Sequence, residues 1–167
     1  MEHPIETVIS AMIAYDAGDP MRIHHFLKVY AFARLIGLEE GLDPDTQFIL
    51  ETAAVVHDIG IHRAEAVYGS SHGKYQEELG PAEADALLSR LGWPRTVIDR
   101  VMFLVGHHHT YAGIDGADYQ ILVEADFLVN LYEDDVPPAA RKHAYETIFK
   151  TETGRRLCRE LYPAVCE

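Results

Sequence analysis

The sequence predicts an all-α chain of about seven to nine helices. Apolar residues recur at three- and four-residue spacings through nearly every segment. The punctuation is of helix type, with Asp-Pro at starts and Gly at ends. Nowhere do alternating β-branched runs stand between turn signals. A length of 167 residues suits one compact core, and no repeat, low-complexity tract or linker divides the chain, so 1–167 is expected to form a single domain.

Residues 4–17 form a first amphipathic stretch, closed by Gly18-Asp19-Pro20. Residues 21–37 make a second helix, ending near Gly37. Asp43-Pro44 starts the third, with Asp as N-cap and Pro at the first helical position; it carries Phe48, Ile49, Thr52, Ala53 and Val56 and stops at Gly60. The stretch 62–79 is rich in Gly, Ser and charge and reads as loop with a short helical piece. Gly80-Pro81 is expected to start the next helix, which bears Ala84, Leu87, Leu88 and Leu91 and stops at Gly92. Helix 94–106 carries Val97, Val101, Leu104 and Val105 into a histidine triplet. A loop over 110–118, capped by Asp115 or Asp118, leads to helix 118–132. Pro137-Pro138 opens the C-terminal helices, 138–162.

The balance of 27 acidic against 14 basic side chains gives a net charge of −13. Such a field repels a polyphosphate backbone, which argues against nucleic-acid polymers as partners. A small phosphorylated substrate remains compatible, because one metal ion and a few local cations reverse the sign inside a pocket. No apolar run approaches a membrane span, and Glu2 and Glu6 stand where a signal peptide keeps positive charge. Cys158 and Cys166, with seven residues between them, fit two quiet thiols in a reducing compartment rather than a disulfide framework. A cytoplasmic location is the expectation. Oligomeric state is left open, an oligomer being allowed.

Four pieces carry the chemistry: His25, the pair His57-Asp58, the triplet His107-His108-His109, and Asp126. Each lies at or inside an apolar helix, where His and Asp are costly to bury unless something binds them, and a divalent metal ion is a common partner. His25 shares a helix face with Val29, Phe32 and Ile36, while His24 points about 100° away. Alone, such a residue is usually a hydrogen-bonded core histidine, and only the other three pieces favour the metal role. His57 continues the face of Leu50, Ala53 and Ala54. Asp58 ends that helix at the negative end of its dipole, an unfavourable place for a carboxylate without a cation. His108 extends the stripe Val97, Val101, Leu104 and is expected to face the core; His107 extends Arg100 and Phe103. The triplet reads as the wall of a site, or as imidazoliums stabilised by the dipole. Asp126 interrupts the most apolar helix, with no basic residue at helical spacing, and so needs a buried partner. Glu124 is expected on the opposite, solvated side.

In this order, H…HD…D on helices, the chain resembles the HD superfamily of metal-dependent phosphohydrolases. The matching segments are His25-Phe26-Leu27-Lys28-Val29, His57-Asp58-Ile59-Gly60, Leu104-Val105-Gly106-His107-His108 and Ala125-Asp126-Phe127-Leu128, over roughly residues 20–132. The resemblance implies an HD-type helical bundle with the motif core at about 20–132, the N-terminal and C-terminal helices packed on it, and a metal site between helices. It implies a divalent ion (Mn, Fe, Co, Ni, Zn or Mg) held by His25, His57, Asp58 and Asp126, and cleavage of phosphate esters, especially of nucleotides. The chain departs from the binuclear pattern at Gln76, in Gln76-Glu77-Glu78-Leu79-Gly80, where a histidine would fall. One tightly held ion is therefore expected and a second is in doubt. The frequent lysine after HDIG is also missing, with Ile61-His62 in its place.

The expected activity is hydrolysis of a small phosphorylated substrate, a nucleotide or other phosphomonoester. Catalytic candidates are Asp58 as proton acceptor and His107, His108 and Lys74 as stabilisers of phosphate charge. Substrate-binding candidates are Arg22, His62, Arg63, Gln76 and Glu77; for Arg22 a surface salt bridge is an equal alternative. Tyr68, Tyr75 and Tyr111 offer rings for a base, or cover a core edge. Two other functions stay in view: an oxygenase using two irons on the same fold, and a non-catalytic metal- or nucleotide-binding domain.

Overall fold

The computed structural model describes residues 3–167, and among these it contains nine α-helices and one 3-10 turn, with no strand. They run α1 (Ile5–Tyr15), α2 (Pro20–Glu39), α3 (Pro44–Val56), α4 (Ile61–Tyr68), α5 (Gly73–Arg90), α6 (Arg95–Val105), α7 (Ala117–Glu133), α8 (Pro138–Thr147), α9 (Glu152–Leu161) and the turn Pro163–Cys166. The all-α expectation holds. No helix is long and apolar enough to cross a membrane.

Local capping sets several helix starts. Asp43 accepts hydrogen bonds from the N–H groups of Asp45 and Thr46, with Pro44 opening α3. Asp19 does the same for Arg22 at the start of α2, and Thr151 for Gly154 at the start of α9. Each bond satisfies an N–H that has no partner inside the helix.

Helix α7 is the axis of the molecule. Tyr119, Ile121, Leu122, Val123, Ala125, Leu128, Val129 and Leu131 are all buried, so α7 is apolar nearly all round, as a central helix must be. Helices α2 and α3 pack on it and on each other, α6 packs on α3 and α5, and α9 touches α7. The buried faces of these helices merge in one apolar cluster.

Central placement corrects the expectation for Glu124, which is fully buried rather than solvated. Its carboxylate accepts from Gln120 Nε2 (2.6 Å), the Thr151 hydroxyl (2.7 Å) and the N–H groups of Lys150 and Thr151 (3.1 Å each). Burial raises its pKa against those hydrogen bonds. The carboxylate ties the start of α9 to α7, with negative charge at a helix N-terminus.

Two glycines expected to punctuate helices are contact points between them. Helix α2 does not end at Gly37 but runs to Glu39; a Cβ at Gly37 would overlap the Gln47 side chain of α3. Gly80-Pro81 does not start a helix but lies inside the 18-residue α5. A Cβ at Gly60 would stand 2.9 Å from the Gly80 backbone, and one at Gly80 would stand 2.7 Å from Val105 Cγ1. The bare backbones bring the turn after α3 onto α5, and α5 onto α6. The stretch 62–79, expected to be mostly loop, is mostly helix: α4 buries only Ile61 and Ala64, and α5 already begins at Gly73.

Candidate metal centre

The ends of two helices aim two imidazoles inward by the same device. The last carbonyls of a helix have no N–H partner within it. His57 Nδ1 donates to Ala54 O at the end of α3, and His108 Nδ1 donates to Val105 O at the end of α6, both at 2.7 Å. His25, on α2, donates through Nδ1 to Glu133 Oε1 at 2.5 Å. A carbonyl or carboxylate only accepts, so in each neutral ring the proton sits on Nδ1 and the lone pair on Nε2. That is the carboxylate– or carbonyl–histidine support found behind metal ligands.

The Nε2 atoms converge with two carboxylates. His25 Nε2 lies 3.2 Å from His57 Nε2, from Asp58 Oδ2 and from Asp126 Oδ1. His57 Nε2 lies 3.4 Å from each of those carboxylate oxygens. Donors about 2.1 Å from one ion are spaced about 3.0 Å apart along an octahedral edge and about 3.4 Å along a tetrahedral one. The observed spacings fit that range. Asp126 Oδ1 and His108 Nε2 are buried without a hydrogen-bond partner, a costly condition that a bound cation would relieve. The donor set of two imidazoles and two carboxylates therefore fits a first-row divalent metal.

A second trio shares Asp58. Asp58 Oδ1 is 3.3 Å from His108 Nε2, and Asp58, His108 and His109 all offer donors within 4.8 Å of one another. His109 Nε2 also lies 3.1 Å from the buried Gln76 Oε1, whose amide donates to Ser71 O. Asp58 thus spans both groups, one oxygen to each.

The charges follow from this crowding. Burial works against a proton on His25, yet Asp126 and Asp58 outweigh it and hold the pKa up to about 11. Burial likewise opposes charge on His108, and Asp58 overcomes it to raise the pKa. Burial favours the neutral acid at Asp58 and Asp126, but the facing histidines hold both well below the usual carboxylate range. Burial, then the charge of His108, lowers His109 to about 4, which leaves a neutral imidazole at pH 7. Protons and a metal ion compete for the same lone pairs here.

The other sequence candidates are dispersed. His107, expected to act beside His108, donates through Nδ1 to Phe103 O and stacks on the Phe103 ring at 4.1 Å; His109 stands at the cluster instead. Helix α6 ends at Val105 and the triplet lies in a turn; His108 is buried as its stripe predicts, while the turn sets the directions of His107 and His109. Glu77, expected to touch substrate, accepts from His109 N (2.9 Å) and Thr110 Oγ1 (3.0 Å) and so holds that turn. Lys74 lies with its ammonium over the Tyr75 ring at 5.1 Å, in an outer groove with Tyr68, Ser70 and His72, rather than at the donor cluster. Tyr68 and Tyr75 stack on each other at 4.2 Å. Arg63 is exposed on α4, and Arg22 is half-buried in the first turn of α2. His62 turns its Nε2 to Asp16 Oδ1 and Asp19 Oδ2, each at 3.3 Å.

Glu133 was missed in the sequence. It stands seven residues after Asp126, two helical turns along α7, so the two share a face. That spacing is the signal from which it was legible. Lys28 Nζ holds its other oxygen at 3.1 Å.

No family model matches the chain, and no curated protein matches it. Among solved structures it is similar to a predicted HD superfamily hydrolase from an uncultured Thermotogales bacterium. That likeness has a TM-score of 0.66 and 27% identity, over 97% of this chain and 85% of the other. With nine helices and no strand among the described residues, the chain has the HD-domain fold.

Proposed function

We propose that the chain is a metal-dependent phosphohydrolase of a small phosphorylated substrate, a nucleotide or other phosphomonoester. The observation that carries this reading is the convergence of His25, His57 and Asp58, with Asp126 Oδ1 within 3.4 Å of both imidazoles and each imidazole fixed from behind. The similarity to a predicted HD superfamily hydrolase supports it. These four residues would hold the ion. When bound, it supplies Lewis acidity toward a phosphoryl oxygen and lowers the pKa of water.

The chain's own groups divide the remaining work. Asp58 is 14% exposed, more than His25, His57, His108 or Asp126, so water reaches the cluster beside it, and it accepts the proton. His108, whose pKa Asp58 raises, donates through Nε2 toward the phosphate in its doubly protonated form. His109, neutral at pH 7, serves as a lone-pair or hydrogen-bond group rather than as a cation. Arg22, one turn before His25 on α2, is the cation proposed for the substrate's phosphate. Glu133 keeps the His25 proton on Nδ1.

A second reading has its own observation. The trio Asp58, His108 and His109 is the kind of set a second ion needs, which keeps a two-iron oxygenase in play. Metal analysis with an iron assay, followed by a panel of phosphate esters with and without metal, separates the two. Hydrolysis restored by Mn, Co or Ni supports the phosphohydrolase. Two irons per chain and no ester cleavage under any metal would overturn it.

A further inference from the structure

We propose that the groove between α7 and α8, beside Tyr111, receives the uncharged organic part of the substrate, and that this part is a flat aromatic or heteroaromatic ring. The proposal rests on the phosphohydrolase reading and names the substrate class of the same site.

The groove has a volume of 470 Å³, within the range of small-molecule sites, roughly 300–1,000 Å³. On α7 and its C-cap it is lined by Phe127, Asn130, Leu131 and Asp134. At 100° per residue these stand about 40–140° round the helix from Asp126, and the first turn of the groove begins within about 6 Å of it along the axis. The groove therefore flanks the side of the helix that carries a ligand candidate. Tyr111 joins the two regions. Its ring packs edge-on against Phe127 at 5.1 Å and lines the groove. It stands two residues after His109, which offers a donor beside Asp58 and His108.

The lining decides what fits. Val136, Ala140, Ala144 and Ile148 from α8 and its flanks face the apolar residues of α7. No Lys or Arg lines the groove and Asp134 does, so a phosphoryl group is unwelcome there and stays with the metal cluster. Asn130, His143 and Thr147 offer both donors and acceptors, which suits the edge of a heteroaromatic ring. A larger groove of 610 Å³, lined by Phe48, Ile49, Pro94 and Val97 among others, lies at the opposite ends of α3 and α6. Ile49 is eight residues before His57, about 12 Å along the helix, so that groove cannot serve the cluster.

Ala140 is exposed at the groove and belongs to no part of the metal cluster, so Ala140→Trp fills the groove from its open side. With manganese-loaded protein, 1-naphthyl phosphate and ethyl phosphate are compared as substrates. Withdrawing roughly 100 Å² of ring from water is worth between about tenfold and a hundredfold in affinity. The expected result is a rise of at least about tenfold in KM for the naphthyl ester in Ala140→Trp, with ethyl phosphate and manganese affinity within about twofold. Equal effects on both esters, or none on either, overturn the proposal. Binding of 1-naphthol is measured by calorimetry in parallel. If the wild type cleaves neither ester, the hydrolase reading fails, and the groove is then judged by naphthol alone: binding lost in Ala140→Trp upholds it, and absent or unchanged binding refutes it.

Discussion

Replacing Glu133 by Gln tests the support behind the cluster rather than the cluster itself. The carboxylate accepts from His25 Nδ1 at 2.5 Å and from Lys28 at 3.1 Å, and is 19% exposed. The isosteric amide keeps the shape but removes the charge and lets either end face the ring, so the Nε2 lone pair is no longer assured. Loss of such a support behind a metal-binding histidine typically costs 10- to 100-fold in metal affinity, or about 1.4–2.8 kcal/mol. The Lys28 contact is a separate, exposed ion pair worth about 0–1 kcal/mol, so Lys28→Ala serves as the control. Competition of the protein with a metal-buffering chelator reads the affinity, and circular dichroism confirms that the fold persists. Glu133→Gln is expected to bind manganese about 10- to 100-fold more weakly, with Lys28→Ala near wild type. Unchanged affinity in folded Glu133→Gln would refute the role given to this carboxylate.

Other outcomes follow from the same geometry. His57→Ala and Asp126→Ala should lose bound metal together with ester hydrolysis, measured by elemental analysis and phosphate release, while His24→Ala changes neither. His109→Ala should lower metal stoichiometry or weaken the Asp58–His108 trio, whereas His107→Ala, whose ring stacks on Phe103, should leave metal content unaltered; the reverse order would reassign the triplet. Gly80→Ala places a methyl 2.7 Å from Val105 Cγ1, an overpacking worth about 1–3 kcal/mol of stability, read by thermal or urea unfolding. Asp16 is pushed up by burial, against His62, from 3.8 to about 6. A raised carboxyl pKa contributes stability below about pH 4 that is lost as the pH rises through 6. Asp16→Asn should therefore gain stability relative to wild type on going from pH 4 to pH 7, and a constant difference across that range would contradict the assignment.

Much of the site was legible because its pieces sit on strongly periodic helices. His25, His57, Asp58 and Asp126 were named from their faces and from the cost of burying them, and the structure brings them together. Within the triplet, His108 is legible from its stripe and is buried as expected, whereas His109 is not. With α6 ending at Val105, the turn that follows chooses His108 and His109, held by Glu77 and by the Tyr119 hydroxyl donating to His107 O and Thr110 O. Lys74 and Glu77 were assigned by chemical type near the cluster, but type does not say where a flexible side chain finds its partner. The segment 62–79 reads as loop because it is rich in Gly, Ser and charge, and packing of α4 on α5 and of α5 on α6 carries it into helical form.

By itself the sequence determined the helical class, most helix starts and the residue types able to bind a metal, since these depend on a repeat of 3.6 residues and on caps a few residues away. Only the tertiary structure decided that Gly37 and Gly80 are points of helix contact, that Glu124 is a buried tie and Glu133 a support, and which histidines face Asp58. Those outcomes arise from which helix faces meet, between residues as far apart as His25 and Glu133, and no local spacing encodes that meeting.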